Sequence, residues 1–125
     1  MWQDAAVPVP SISRPDVVMQ PFPLIVTRQH DDGTSVTLSL IGEIDLSSAH
    51  LLVDSIDEAI ADGATTVVLD FAGVTFINST GLGAMVAATK RLRAEDGDLV
   101  LRQFRGIPAS ALATTGLDRF FTIES

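Results

Sequence analysis

The sequence predicts an α/β fold in which a mixed, mostly parallel sheet of about five strands carries helices packed on it. Three observations lead to this prediction. Short strand-like runs alternate along the chain with amphipathic helical patterns, a tight turn joins the first two of these runs, and 125 residues provide for one hydrophobic core but not two. The predicted element order is β-β-α-β-α-β-α-β, in which parallel neighbours require right-handed crossovers.

The first 23 residues differ in composition from the rest, because they contain five of the six prolines. Proline removes a backbone donor and biases the residue before it away from helix. We therefore expect residues 1–22 to form a proline-rich flexible leader and residues 23–125 to form the folded domain. The N-terminus lacks the basic start and uninterrupted apolar stretch of a signal peptide, so none is predicted.

Two strands in a hairpin are predicted to open the domain. The first runs from Leu24 to about His30, and the segment Asp31-Asp32-Gly33 supplies the turn, with a glycine available for positive φ. The second covers residues 35–41, where apolar residues alternate with serine and threonine at the period of a half-buried strand. The two strands are expected to pair antiparallel.

A helix and a buried strand follow the hairpin. Ser47 is the predicted N-cap of the helix, the apolar residues Leu52 and Ile56 begin a stripe at fourfold spacing, and Gly63 ends the helix. Residues 65–71 form a short and nearly continuous apolar run, which is typical of a strand covered on both faces.

The rest of the chain continues the alternation of helix and strand. A second helix is predicted over residues 79–95, with basic residues in its last turns, where cations favour the helix dipole. Residues 98–102 form the next strand, Pro108 begins a short helix that ends at Gly116, and residues 120–123 form a final short strand.

The charge balance excludes several classes of partner. Eight basic residues against sixteen acidic ones give a net charge of −8. Such a surface repels phosphate backbones and anionic lipid, so we expect no nucleic-acid binding. The longest uncharged run, between Asp70 and Lys90, has glycines and polar residues at its centre, which argues against membrane insertion. We expect a cytoplasmic protein whose oligomeric state is left open.

The sequence offers little for catalysis or cofactor binding. Without cysteine there is no disulfide, thiolate metal site or cysteine nucleophile. The only histidines, His30 and His50, do not form a recognisable triad or metal motif with the serines and acids around them. Because no glycine-rich nucleotide motif occurs either, we expect no catalytic residues, no metal, no cofactor and no enzymatic activity.

The most informative segment is Phe76-Ile77-Asn78-Ser79-Thr80-Gly81-Leu82-Gly83, which lies between a buried strand and a helix. Asn78 is the predicted N-cap, so Ser79 and Thr80 fall in the first turn beside unpaired backbone N–H groups. This position favours an anion, including a phosphate attached to Ser79. From the residues alone, the segment is most simply a helix cap. The low helix propensity of Gly81 and Gly83 indicates a close backbone approach or a partner surface.

Three motifs in register resemble the STAS domain, specifically the bacterial anti-sigma factor antagonists, and together they span most of the chain after Leu24. Gly42-Glu43-Ile44-Asp45 is similar to the family's G-E-L-D step. Val67-Val68-Leu69-Asp70 with the Phe76-to-Gly83 segment is similar to its strand and D-S-[ST]-G-L-G loop. Gly116-Leu117-Asp118-Arg119-Phe120-Phe121 is similar to a G-L-x-x-x-F sequence near its C-terminus.

The resemblance implies a STAS-like fold and a partner switch controlled by phosphorylation. In this family the unphosphorylated antagonist binds an anti-sigma factor that is also a serine kinase, which releases a sigma factor. The kinase phosphorylates the loop serine, here Ser79, using ATP, and a PP2C-type phosphatase removes the phosphate. The resemblance places the partner-binding surface at Glu43, Asp45, Asn78, Ser79, Thr80 and Gly81.

One departure from the family pattern is Asn78, where the family has aspartate before the serine. Asparagine still caps a helix but removes a negative charge beside the acceptor. The prediction is an anti-sigma factor antagonist, and two alternatives to it stay open. One is a stand-alone accessory subunit of an ABC-type lipid transporter, which docks on an ATPase through the same helix start. The other is a scaffold that is not phosphorylated, because Asn78 has weakened phosphorylation.

Overall fold

The computed structural model of the protein describes residues 24–124. Within this range five strands form one sheet in the order β1-β2-β3-β4-β5, with β1 antiparallel to β2 and all other neighbours parallel. The strands are β1 (Leu24–Asp32), β2 (Ser35–Ile44), β3 (Thr66–Ile77), β4 (Asp98–Arg102) and β5 (Thr122–Ile123). The predicted fold class is confirmed. The predicted leader, residues 1–22, lies outside the described residues.

Three α-helices connect the parallel strands of the described range. They are α1 (Ala49–Ala61), α2 (Ser79–Arg93) and α3 (Ile107–Thr115), and a short 3₁₀ helix that was not predicted (Leu117–Arg119) follows α3. The predicted element order is therefore confirmed. Gly116 ends α3 in the left-handed conformation, with φ of 77°, as expected for a glycine after a helix.

The core lies on one face of the sheet. The paired registers place the apolar residues of neighbouring strands side by side, such as Leu38 against Leu69 and Leu69 against Leu101. All three helices add buried residues to the same hydrophobic cluster, including Ile56 of α1 and Met85 of α2. On the opposite face the strand residues are mostly polar or exposed. The expectation that β3 is covered on both faces therefore holds at the buried Val68 but not along the whole strand.

Strand β3 continues six residues beyond its predicted end at residue 71. Its register with β2 shifts twice, so that β3 carries extra residues opposite β2 and its apolar alternation is interrupted. Gly73 lies at one of these irregularities, where a Cβ would come within 2.9 Å of the Leu40 carbonyl oxygen. Because the register shifts interrupt the apolar alternation, the sequence pattern does not predict residues 72–77 as part of the strand, which ends at Ile77.

Two local predictions need correction. The hairpin turn consists of Gly33, with φ of 50°, and Thr34, whereas both aspartates before them belong to β1. The N-cap of α1 is Ser48 rather than Ser47. Among the described residues, no helix is both long enough and apolar enough to cross a bilayer.

Candidate functional site

Helices α1 and α2 begin at the same edge of the sheet, where the parallel strands β2 and β3 end. Glu43 pairs with Phe76 and Ile44 pairs with Ile77 in the last positions of the two strands. The Asn78 backbone N–H then donates to the Ile44 carbonyl oxygen at 3.1 Å. The G-E-I-D step and the N-S-T-G step, which are far apart in sequence, are therefore adjacent in the structure.

Asn78 starts α2 from an extended backbone conformation, with φ of −114° and ψ of −173°. Its side-chain Oδ1 accepts hydrogen bonds from the backbone N–H groups of Thr80 at 3.0 Å and of Gly81 at 3.4 Å. The predicted cap is confirmed, and it uses two of the donors that a helix start leaves without partners. An amide oxygen is sufficient for this role.

Ser79 and Thr80 are both exposed in the first turn of α2. The Ser79 hydroxyl forms no hydrogen bond to another residue of the range 24–124, and the Ser79 residue is exposed there. The helix start supplies about half a positive charge from its backbone dipoles. A phosphate on Ser79 would therefore meet a favourable local field.

Gly81, by contrast, is buried against the core. A Cβ at this position would lie 2.6 Å from Ile44 Cγ2 and 2.9 Å from Ile77 Cγ1, so the helix start approaches β2 and β3 more closely than alanine permits. Gly83 has open space at the corresponding point. The close approach expected for this glycine pair thus occurs at Gly81, and Gly83 leaves the outer side of the helix uncovered. A partner contact at Gly81 remains a prediction.

Asp45 organises the turn between β2 and α1. Its Oδ1 accepts hydrogen bonds from the Ser47 N–H and hydroxyl, at 2.9 and 2.8 Å, and from the Ser48 N–H at 3.2 Å. The hydrogen bond from the Ser47 hydroxyl is the main cause that lowers the pKa of Asp45, against an opposing effect of desolvation. Asp45 is therefore a structural carboxylate whose oxygen faces its own turn.

Ser48 completes the turn from the inside. Its fully buried hydroxyl donates to the Glu43 carbonyl oxygen at 2.7 Å and accepts from the Asp45 N–H at 2.9 Å. Glu43 itself is exposed, on the sheet face opposite Ile44, because successive strand residues point to opposite faces. The predicted partner-binding residues are thus collected at one edge, with the side chains of Glu43, Ser79 and Thr80 open to a partner.

Sequence reasoning missed one residue at this edge. Leu46 is 80% exposed, the highest value among the large apolar side chains of the described residues. Its position six residues before Leu52 is out of phase with the fourfold stripe of α1, which is a signal that it does not join the core.

The two histidines lie on other elements. His30 is in β1, where its Nε2 lies 3.3 Å from a guanidinium nitrogen of Arg28, and His50 is exposed on α1. Neither forms a hydrogen bond with Ser79 among the residues that the structure describes. Within the same residues, no three potential His or carboxylate metal ligands come together.

Comparison with known proteins shows the family and the fold. The family model of the STAS domain matches residues 25–125. Two curated relatives, both called anti-sigma-F factor antagonist RsfB and from two strains of Mycobacterium tuberculosis, are 38% identical over 72 residues. The match covers 58% of this chain and 58% of each relative, so the chain spans little more than half the length of these relatives.

Solved structures resemble the described fold at lower identity. An anti-sigma factor antagonist from Mycobacterium paratuberculosis is 24% identical, with a TM-score of 0.73 over 85% of this chain and 89% of the other. SpoIIAA in its unphosphorylated form is 20% identical, with a TM-score of 0.69 over 81% and 89% of the two chains. The phosphorylated form of this Bacillus protein has a TM-score of 0.64 at the same identity, over 81% and 92%.

Proposed function

This chain belongs to the STAS domain family, and on that premise we propose that it is an anti-sigma factor antagonist whose partner binding is switched by phosphorylation of Ser79. The observation that carries the proposal is the exposed hydroxyl without a hydrogen-bond partner among the described residues, in the first turn of α2 and beside the G-E-I-D step. The names of the mycobacterial relatives support the antagonist role, and the existence of SpoIIAA in both forms supports the switch.

In the proposed cycle the partner is an anti-sigma factor with serine kinase activity. It transfers the γ-phosphoryl group of ATP to the Ser79 oxygen, and ADP and the hydroxyl proton leave. A PP2C-type phosphatase then hydrolyses the phosphoserine. This chain performs no catalysis and needs no cofactor, and it works in the cytoplasm by holding the anti-sigma factor while the sigma factor is free.

Electrostatics explains how one phosphate can end the interaction. It adds roughly −1.5 to −2 charges to a surface that already carries Glu43 and Asp45. The cations of α2 begin at Lys90, eleven residues after Ser79, or about 16 Å along the helix axis, which exceeds the Debye length of about 8 Å at physiological salt. The phosphate therefore has no nearby cation on this helix.

The proposed kinase reaction gives a second reason why phosphorylation of Ser79 would end the interaction. To transfer its phosphoryl group, the kinase must bring the nucleotide against the Ser79 hydroxyl. A phosphoserine in the same place faces the remaining phosphates of the nucleotide, and like charges in contact across an interface cost several kcal/mol. The product is therefore expected to leave the surface on which it was formed.

The test uses the purified anti-sigma-F factor of M. tuberculosis, the class of target that the names of the relatives imply. We expect phosphate at Ser79 by mass spectrometry after incubation with ATP, and none in Ser79→Ala. By calorimetry with ADP, Ser79→Asp is expected to bind at least about tenfold more weakly than wild type. Ser110→Asp, which adds the same charge at an exposed serine of α3, should bind like wild type.

Two results would contradict the proposal. If the wild type does not bind the anti-sigma factor, the antagonist function is wrong for this target class. If Ser79→Ala and Ser79→Asp bind equally well, the chain is a scaffold without a phosphorylation switch.

A further inference from the structure

Leu46 combines high exposure with a rigid backbone. The turn that carries Leu46 is held by the Asp45 carboxylate and by the buried Ser48 hydroxyl. The backbone also closes on itself, since the Ala49 N–H donates to the Asp45 carbonyl oxygen at 2.8 Å. Because these hydrogen bonds order the loop before a partner binds, association loses less conformational entropy at this loop.

Leu46 also lies at the edge that holds Ser79. It follows Ile44 by two residues, and Ile44 touches both sides of the α2 start: its carbonyl oxygen accepts from the Asn78 N–H, and its Cγ2 lies beside Gly81. The Leu46 side chain and the Ser79 hydroxyl thus lie at neighbouring helix starts, and Ile44 of the core connects the two starts.

We propose that Leu46 is the apolar anchor of the partner-binding surface and inserts into an apolar pocket of the protein that binds around Ser79. This inference rests on the proposed function. Side chains that contribute most to binding lie in desolvated, well-packed pockets near the centre of an interface, surrounded by contacts that exclude water. Glu43, Ser79 and Thr80 are exposed polar residues that would provide such surrounding contacts here.

Burying a leucine contributes enough for about a ten- to hundredfold change in affinity. We therefore expect Leu46→Ala to weaken binding to the M. tuberculosis anti-sigma-F factor by that factor, and Leu46→Met to restore most of it, because methionine has a similar volume. With ATP, Leu46→Ala should raise the KM for phosphorylation of Ser79 and leave kcat unchanged, since the alanine variant loses binding and not the acceptor.

Ile123 provides a matched control, because it is an isomer of leucine with 40% exposure. It pairs with Leu101, and Leu101 with Leu69. Leu69 is eight residues from Ile77, which places Ile123 roughly 20 Å or more from the site edge. Ile123→Ala should bind like wild type. Thermal unfolding of both alanine variants checks that they are folded.

The outcomes separate the two proposals. Wild-type binding with an unaffected Leu46→Ala overturns the anchor and leaves the antagonist function intact. Equal weakening by Leu46→Ala and Ile123→Ala also overturns it, since the effect would not be local. Absence of wild-type binding overturns the proposed function, and the anchor with it.

Discussion

Helices α1 and α2 start side by side at the same edge of the sheet, each with two consecutive hydroxyl residues, yet the two starts differ in what those hydroxyls do. At α1 the hydroxyls of Ser47 and Ser48 are both engaged, with Asp45 and with the Glu43 carbonyl oxygen. At α2 the Asn78 side chain bonds backbone N–H groups, and the Ser79 hydroxyl is exposed. The start of α1 is closed by hydrogen bonds of its serine hydroxyls, whereas α2 is capped by the Asn78 side chain and the Ser79 hydroxyl takes no part.

The comparison shows that a serine at a helix start is not by itself a sign of modification. A hydroxyl that closes a turn cannot be phosphorylated without breaking the turn, whereas one left over by an amide cap can. Whether a serine hydroxyl is available for modification depends on which side chain bonds the free backbone groups of the helix start. Substitutions at equivalent places in the two helix starts test this.

The largest effect is expected at the contact between the two starts. Gly81→Ala should lower the free energy of unfolding by roughly 2–3 kcal/mol, because the new Cβ overlaps Ile44 Cγ2 and the shift must be taken up by packed groups. Gly83→Ala, two positions along the same helix and in open space, should raise it by about 0.5–1 kcal/mol. Urea unfolding measures both, and equal values would mean that the helix start is not packed as described.

A smaller difference is expected between the serines. Ser48→Ala leaves two backbone groups without their buried partner and should cost roughly 1–2 kcal/mol. Ser79→Ala removes an exposed hydroxyl and should stay within about 0.5 kcal/mol of wild type. If chemical denaturation instead found Ser79→Ala to be the more damaging change, the roles of the two starts would be reversed.

The smallest effect concerns the acid dependence of the closed start. Because hydrogen bonds lower the folded-state pKa of Asp45, its carboxylate contributes stability above the ordinary aspartate pKa. This contribution is lost as the pH falls from that ordinary value through the lower folded-state value. Asp45→Asn should therefore show a shallower loss of unfolding free energy with acid than wild type. Parallel pH curves for the two proteins would exclude this role.

Much of this arrangement could be predicted from the sequence, and the failures have physical causes. Strong periodicity identified the element order, and the amide chemistry of Asn78 identified the α2 cap. The end of β3 was missed because its register shifts disturb the alternation on which strand prediction depends. Gly81 and Gly83 are both glycines of the same helical segment, so the sequence does not show which of them is packed against the core; only the structure distinguishes them. The position of Leu46 out of phase with the apolar stripe of α1 signals its exposure, but no periodic pattern reports the side-chain hydrogen bonds that close its turn.

The length of β3 has a consequence for where the proposed phosphorylation site lies in the domain. Its neighbour β4 ends opposite Asp70, so β3 runs on for seven residues before α2 begins. Along this overhang β3 pairs with β2 alone among the described residues, so α2 begins beyond the end of β4. The phosphoserine that we propose at Ser79 would thus form beyond the ends of two of the five strands.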